Sequence, residues 1–482
     1  MRTFRTRAHS TGLTITVLAF AGVVVAVMQT LMVPLLADLP DMLHTTRSDA
    51  AWVITVTLLT AAIGTPVFGR LGDMFGKRRM LVIALGLLIL GSIVCGLSFS
   101  LLPMMIGRGL QGFGIGAIPL GISIMRDELP PDRLGAAVGL MSSSLGIGGA
   151  LALPVAALVA EYLEWHWLFF GAAVLAVAAL IPVLLVVPES PVRTPGRFDI
   201  PGTIGLSVGL VCLLLGISKG SDWGWGSTAT LGASGTSLVI LLLWGWFELR
   251  VRDPLVDLRT TARRQVLLTN LASILVGFAL YATQLVPPQL VQLSSETGYG
   301  LGRSMLVAGL CAAPSGVAMM AMSQVGARLI THRGPKTSLL AGVSLLGVAY
   351  ALGPLLLGGV WQLALFSAIA GAGVGLAYAS LPALIIDAVP ETETAAANGL
   401  NTLMRQIGTS SSSAVVGMVL AGMSTSLGPV SVPSLDGFRT TFLIGCAACL
   451  IAAAIVMLIP GRDSRAPRLR PRTLASAPGN RG

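Results

Sequence analysis

Two arginines stand in stretches that are otherwise long and apolar. Arg108 lies in Gly107-Arg108-Gly109-Leu110-Gln111-Gly112-Phe113-Gly114-Ile115-Gly116. Arg405 belongs to a polar series with Asn398, Asn401 and Ser412, spaced by three, four and seven, so that in a helix all four share one face. A guanidinium inside hydrocarbon is costly and almost always faces a bundle interior or a water-filled cavity. It stays charged, so the chemistry on offer is counter-charge for an anion or hydrogen bonding to a neutral acceptor. Two plainer readings stay open: Arg108 bonded to backbone carbonyls, and the Asn398–Ser412 face as a polar seam between helices. Tyr281, Gln284 and Gln29 are further candidates to line a cavity, with Phe278 beside Tyr281 either offering aromatic surface or simply packing. All 21 acidic residues fall in loops or near the ends of apolar runs. A cavity that took up cationic compounds would need a carboxylate as counter-charge, and the expected occupant is therefore neutral or anionic. The acids nearest to the interior are Asp38, Glu161, Glu164 and Asp387; for proton coupling the titratable candidates near the outer face are Asp38, Glu161 and His166, which read equally well as solvated interfacial groups.

These side chains need apolar spans to hold them. The chain of 482 residues is 54% hydrophobic and 11% charged, where a soluble domain carries about a quarter charged residues. Runs long enough to cross about 30 Å of hydrocarbon as helices fall at 13–37, 50–69, 80–100, 102–125, 134–160, 166–187, 200–218, 229–248, 266–290, 303–325, 337–358, 361–386, 395–422 and 438–460. The expected fold is all-α, polytopic and spans the membrane fourteen times. An even number puts both ends on one side. With cytoplasmic ends, 25 of the 31 Lys and Arg residues fall on the inside, four outside, and Arg108 and Arg405 within spans. This matches the rule that cytoplasmic loops hold the excess of cations, and it explains the net charge of +10 without nucleic acid. The first run is too long for a cleaved leader and reads as a span. Trp223 and Trp225, beside Lys219 and Asp222, read as an interfacial aromatic anchor. Adjacent Pro287 and Pro288 should interrupt the ninth span. The five cysteines lie in apolar runs and the four histidines are scattered, so no metal site is expected; no Gly-x4-Gly-Lys-Ser/Thr loop for ATP occurs.

The chain repeats itself. Asp127, Pro130, Gly139-Leu140 and Ile147-Gly148 recur 260 residues later as Asp387, Pro390, Gly399-Leu400 and Ile407-Gly408. Such repeats imply two pseudo-symmetric halves with a site between them. Six spans occupy fewer residues than that offset, which leaves room for two inserted helices. The expected division is an N-terminal segment 1–12, a six-helix half 13–187, a linker with two extra spans 188–265, a second six-helix half 266–460, and a disordered basic tail 461–482.

Between the second and third runs lies a short basic stretch, Gly69-Arg70-Leu71-Gly72-Asp73-Met74-Phe75-Gly76-Lys77-Arg78-Arg79, expected as a surface loop on the cytoplasmic side. Its spacing resembles the loop signature of the major facilitator superfamily of secondary transporters. A weaker echo, Leu329, Gly334 and Lys336, follows at an offset of 258, with Thr331 in place of Asp73. The layout of six plus two plus six is similar to the fourteen-helix drug:proton antiporter branch. The resemblance implies that Asp73 docks at the start of the helix beginning near Thr394, favourable for a carboxylate, and that Gly69, Asp73, Gly76, Lys77 and Arg78 form a gate latch. It implies that Arg108, with Gln111, matches a fourth-helix motif tied to proton transfer. Two departures stand out: the fifth-helix signature retains Pro154 but has alanines for glycines, and the first helix lacks the usual central aspartate, leaving Asp38 near its outer end.

The expected function is export of a drug, antibiotic or secondary metabolite by alternating access, favouring neutral or anionic amphipathic substrates. The plasma membrane is the expected site. The energy would come from the proton gradient or membrane potential with no bound cofactor. The expected partners are a small-molecule substrate and the lipid bilayer, and the expected state is monomeric. An importer or facilitator of an organic anion and a non-transporting sensor or accessory subunit are the alternatives. The sensor predicts no change in flux when Asp73 is replaced. Nothing in these residues points to an enzyme.

Overall fold

The computed structural model describes residues 2–460 apart from 33–34, 36–38, 51, 191, 195 and 428–429, so the tail 461–482 lies outside the described residues. The long helices are α1 (Arg2–Thr30), α2 (Trp52–Phe75), α3 (Lys77–Gly96), α4 (Leu101–Gly114), α5 (Ala117–Glu128), α6 (Pro131–Tyr162), α7 (His166–Val186), α8 (Ile200–Trp223), α9 (Thr228–Glu248), α10 (Arg264–Gln292), α11 (Met305–Arg333), α12 (Pro335–Leu352), α13 (Val360–Ile386), α14 (Thr394–Gly422) and α15 (Leu435–Leu458). Taking α4 and α5 as one, thirteen spans are both long and apolar enough to cross a membrane. The fourteenth is α14, 29 residues long but diluted in hydropathy by its Asn, Thr, Ser and Arg side chains.

The structure corrects the sequence reading in four places. The fourth span is broken at Ile115–Gly116. Pro119 explains the break, because its ring excludes the carbonyl four residues back and it has no N–H to give; the Ile115 carbonyl instead accepts from Ile118 at 3.2 Å. The basic stretch 69–79 is not a loop, since α2 runs on to Phe75 and the whole connection to α3 is Gly76, at φ 115°, a conformation that favours glycine. Its echo has the same one-residue joint, Gly334 at φ 86°, between α11 and α12. Pro287 and Pro288 do not interrupt α10, which continues to Gln292; they remove two helical bonds, and membrane helices tolerate that loss where neighbours pack around them. A two-stranded antiparallel hairpin, β1 (Ser424–Leu427) with β2 (Val430–Pro433), joins α14 to α15 in register Ser424 to Pro433. Lys219 is buried, its Nζ 5.2 Å from the Trp52 ring centre, while Trp223 and Trp225 remain exposed.

Two large cores hold the halves, one built from α1 to α7 and one from α10 to α15. The halves meet along two seams, α2 against α14 and α6 against α11. A Cβ on Gly69 would come within 2.5 Å of the Ala395 carbonyl, and one on Gly399 within 2.5 Å of Thr65 O. The other seam repeats this at the offsets read from the sequence: Gly139 faces Ala327 and Ser323. The inserted pair α8 and α9 packs on the outside of the first seam, where Leu206, Leu210 and Leu214 cluster with Leu59, Ala62, Leu400 and Leu403. On α9, Leu231, Leu238, Leu242, Leu243 and Trp246 are all exposed, the composition of a surface that lies against lipid.

Candidate functional site

A cavity of about 170 Å³ lies between the halves. Its polar lining comes from both: Gln29 and Thr30 of α1, Thr57 of α2 and Arg108 of α4 on one side, Tyr281 and Gln284 of α10, Ser315 of α11, Tyr378 of α13 and Thr402, Arg405, Gln406 and Thr409 of α14 on the other. Among the described residues, no Asp or Glu lines it. The break in the fourth span reaches the cavity through Ile115 and Ile118.

Arg108 is buried in place by two kinds of partner. Its Nη1 donates to Gln111 Oε1 at 2.8 Å and to the Met28 carbonyl at 3.3 Å. Gln111 Nε2 in turn donates to Ser92 Oγ at 2.8 Å. Gln111 therefore orients the arginine from outside the cavity and does not line it, and Arg108 itself is both carbonyl-bonded and cavity-facing. Its Nε is buried with no partner among the described residues. Arg405 Nη1 donates to Asn401 Oδ1 at 2.7 Å and Nη2 to Thr402 Oγ1 at 2.8 Å, and the guanidinium carbon lies 5.1 Å from the Tyr378 ring centre.

The expected cavity set divides. Gln29, Tyr281, Gln284 and Arg405 line the cavity. Asn398 and Asn401 do not: Asn401 Nδ2 donates to Asn270 Oδ1 at 2.9 Å and Ser273 Oγ at 2.8 Å on α10, and Asn398 Nδ2 donates back to the Thr394 carbonyl of its own helix at 3.0 Å. The face that reaches the cavity is Thr402, Arg405, Gln406 and Thr409, which a shift of the 3.6-residue wheel by one position would have found. Phe278 is buried away from it, and Pro154 is a half-buried residue within α6 that does not reach it either. Asp38 and the side chain of Glu161 lie outside the described residues. His166 Nε2 is 3.1 Å from the Ser98 carbonyl, its ring stacked on Trp165, remote from the cavity.

At the end of the bundle that carries Gly76, here the basic end, the halves are tied together. The Asp73 carboxylate accepts from the Ala396 N–H at 2.9 Å and from the Ala395 N–H at 3.3 Å, the free donors of the first turn of α14. Lys77 Nζ lies 2.6 Å from Asp127 Oδ2 and 3.7 Å from Asp73 Oδ1, with all three side chains buried. Ser190 Oγ also donates to Asp127. Arg126 crosses to the second half, donating to Thr394 Oγ1 and, at 3.1 Å, to the Val389 carbonyl. Thr194 crosses as well, with its N–H on Asp73 O at 2.8 Å and its hydroxyl on Thr392 O at 2.6 Å. Gly69 allows the close approach, Gly76 makes the joint, and Glu189 caps the start of α3 by accepting from the Arg78 N–H at 3.1 Å. Arg78 Nη2 donates to the Leu184 carbonyl at 2.5 Å, so it braces α3 on α7 rather than crossing the seam. Asp127, Arg126, Thr194 and Glu189 were missed as site residues. The repeat singled out Asp127 through its partner Asp387; the others bond mainly to backbone and leave no mark in residue type. The second copy of the basic stretch makes no such tie: Lys336 Nζ donates to carbonyls of Met457 and Ile459 within its own half.

The comparisons agree with this architecture. A family model described as Major Facilitator Superfamily matches residues 18–413. "Multidrug resistance protein 3" of Bacillus subtilis is 25% identical over 385 residues, 78% of this chain and 73% of that protein. "Tetracenomycin C resistance and export protein" of Streptomyces glaucescens is 26% identical over 432 residues, 88% of this chain and 79% of the relative. Among solved structures, the human organic anion transporter MFSD10 (TETRAN) superposes with a TM-score of 0.67 over 92% of this chain and 99% of its own, at 15% identity, a likeness of fold alone. With two helical halves, a cavity between them and a family match over most of its length, this chain is a multi-pass membrane protein that belongs to the Major Facilitator Superfamily.

Proposed function

We propose that this protein exports neutral or anionic amphipathic compounds across the plasma membrane by alternating access, with the basic end and both termini in the cytoplasm. The observation that carries the substrate class is the lining of the cavity: Arg108 and Arg405, one from each half, with no carboxylate among the described residues that line it. A cationic drug would meet two fixed positive charges there with nothing to replace its hydration. An anion or a polar neutral compound would meet donors that are already oriented by Gln111 and Asn401. Export rather than import is supported by the printed names of the relatives, a multidrug resistance protein and an antibiotic export protein. An inside-negative potential itself favours outward movement of an anion, by about 2.3 kcal/mol per charge per 100 mV. The proton gradient is the other source of drive, and the groups that would serve it at the far end are Asp38, Glu161 and His166.

The test is intracellular accumulation of a charge-sorted panel of labelled drugs and dyes, in cells with the protein, without it, and with Arg405→Ala. Lower accumulation of neutral or anionic members, reversed roughly tenfold or more in the variant because a charge-assisted bond contributes about 1.5–3 kcal/mol, is the expected result. Lower accumulation of cationic dyes that ignores Arg405 would overturn it, and raised accumulation of anions would make the protein an importer.

A further inference from the structure

The inserted pair carries a buried arrangement that the cavity and the latch do not use. Asp199 caps the N-terminus of α8, and Glu248 ends α9. Asp199 Oδ1 accepts from the Gly202 N–H at 2.8 Å, and Glu248 Oε1 accepts from the Val256 N–H at 2.7 Å. The remaining oxygens, Asp199 Oδ2 and Glu248 Oε2, are buried without a donor. They face each other: a Cβ built on Gly202 would lie 2.2 Å from the first and 2.7 Å from the second, and the two side chains are within hydrogen-bonding reach. Both residues are more than nine-tenths buried, at 7% and 2% exposure.

Two carboxylate anions cannot sit oxygen to oxygen in a buried site, since each would be desolvated and each repels the other. Among the described residues none of the flanking ionisable groups donates to either free oxygen. Arg250 lies over the Trp246 ring, Arg259 Nη2 donates to the Leu249 carbonyl, Asp257 caps the turn at Arg259 and Thr260, and Asp253 accepts from the Arg197 N–H. Arg70 and Arg252 line a separate polar pocket beyond Val256. A bound metal is a poor fit, because two free oxygens fall well short of the six or more that a hard cation takes. One proton shared between the two free oxygens satisfies both at once, as in other carboxyl pairs held at contact.

We propose that Asp199 and Glu248 form a single buried proton-binding site that fastens the linker at Val256 to the inserted helix pair. Gly202 is the residue that makes the site, as any side chain there would separate the carboxyls. Loss of the proton to the basic end leaves two facing anions and drives Glu248 away, and with it the Val256 N–H. Val256 forms one wall of the polar pocket, and Ala396, whose N–H binds Asp73, forms another. The proton state of the inserted pair is thereby linked to the ground on which the latch stands. The inference is independent of which substrate the cavity takes.

The experiment uses the purified full chain in lipid nanodiscs and infrared spectroscopy, with Glu248→Gln, Asp199→Asn and Asp73→Asn as variants. A Gln at 248 or an Asn at 199 supplies the missing donor without a proton, so both variants are expected to fold. The expected result is a protonated-carboxyl band at neutral pH that shifts in heavy water, is lost in both Glu248→Gln and Asp199→Asn, and persists in Asp73→Asn. Unfolded carboxyls bind protons only near pH 4, so a proton held above that stabilises the fold at low pH and ceases to do so as pH rises through its loss. The melting temperature of the unaltered chain should therefore fall with rising pH relative to Glu248→Gln. An unchanged band in both variants would overturn the proposal. So would a melting temperature that is flat with pH but rises on addition of calcium, magnesium or sodium ions, which would make the site a cation site.

Discussion

Asp73 spends both carboxylate oxygens on a helix that begins more than three hundred residues later. The bonds are charge-assisted and buried, so Asp73→Asn, which keeps the shape and removes the charge, should weaken closure at the basic end by about 1–3 kcal/mol. Pulsed-EPR distances between labels at exposed Arg79 and Glu391 are expected to gain a longer population in this variant; an unchanged distribution would show that Asp73 only shapes the joint. Lys77 makes a second prediction. Asp127→Asn leaves its buried ammonium with Asp73 alone, at 3.7 Å, and breaking such a pair costs about 3–5 kcal/mol. The melting temperature should drop by several degrees, and Lys77→Met in the same chain should recover most of the loss. A double variant no better than the single would mean that Asp127 matters for something other than Lys77. At this scale the sequence marked Asp73, Lys77, Arg108 and Arg405 by type and spacing. It could not mark Arg126 or Thr194, whose partners across the seam are mostly backbone atoms and therefore carry no residue signature.

The elements follow from apolar length, and their interruptions follow from where proline falls. All fourteen spans were legible as runs, but the fourth breaks four residues before Pro119, so the signal sits downstream of its effect. The paired prolines of α10 gave the opposite error, because a membrane helix with neighbours packed around it stays continuous despite the loss of two bonds. Helix contacts across the seams depend on small residues. A Cβ on Gly316 of α11 would come within 2.2 Å of the Gly146 carbonyl of α6. Gly316→Val is thus expected to destabilise the protein by about 1–3 kcal/mol or more and to cut transport. Gly235→Ala, on exposed α9 with nothing within 4 Å, should be neutral or stabilise by up to about 1 kcal/mol. Thermal melting of both variants, side by side, tests whether tight crossing or glycine loss as such sets the outcome.

In the whole molecule the two seams are related by the internal repeat, but they are not equally free. The inserted pair lies against both α2 and α14, on one seam only. It acts as a splint along that edge, while α6 and α11 face each other without one. A pair of halves joined in this way is expected to open unequally once the Asp73 latch has released, with the splinted edge as its spine. Labels placed across the free edge should then separate further during turnover than labels across the splinted edge, and equal separations would rule the spine out. The inserted helices would on this view contribute a direction to the motion, deciding from which side of the protein a bulky molecule enters the gap.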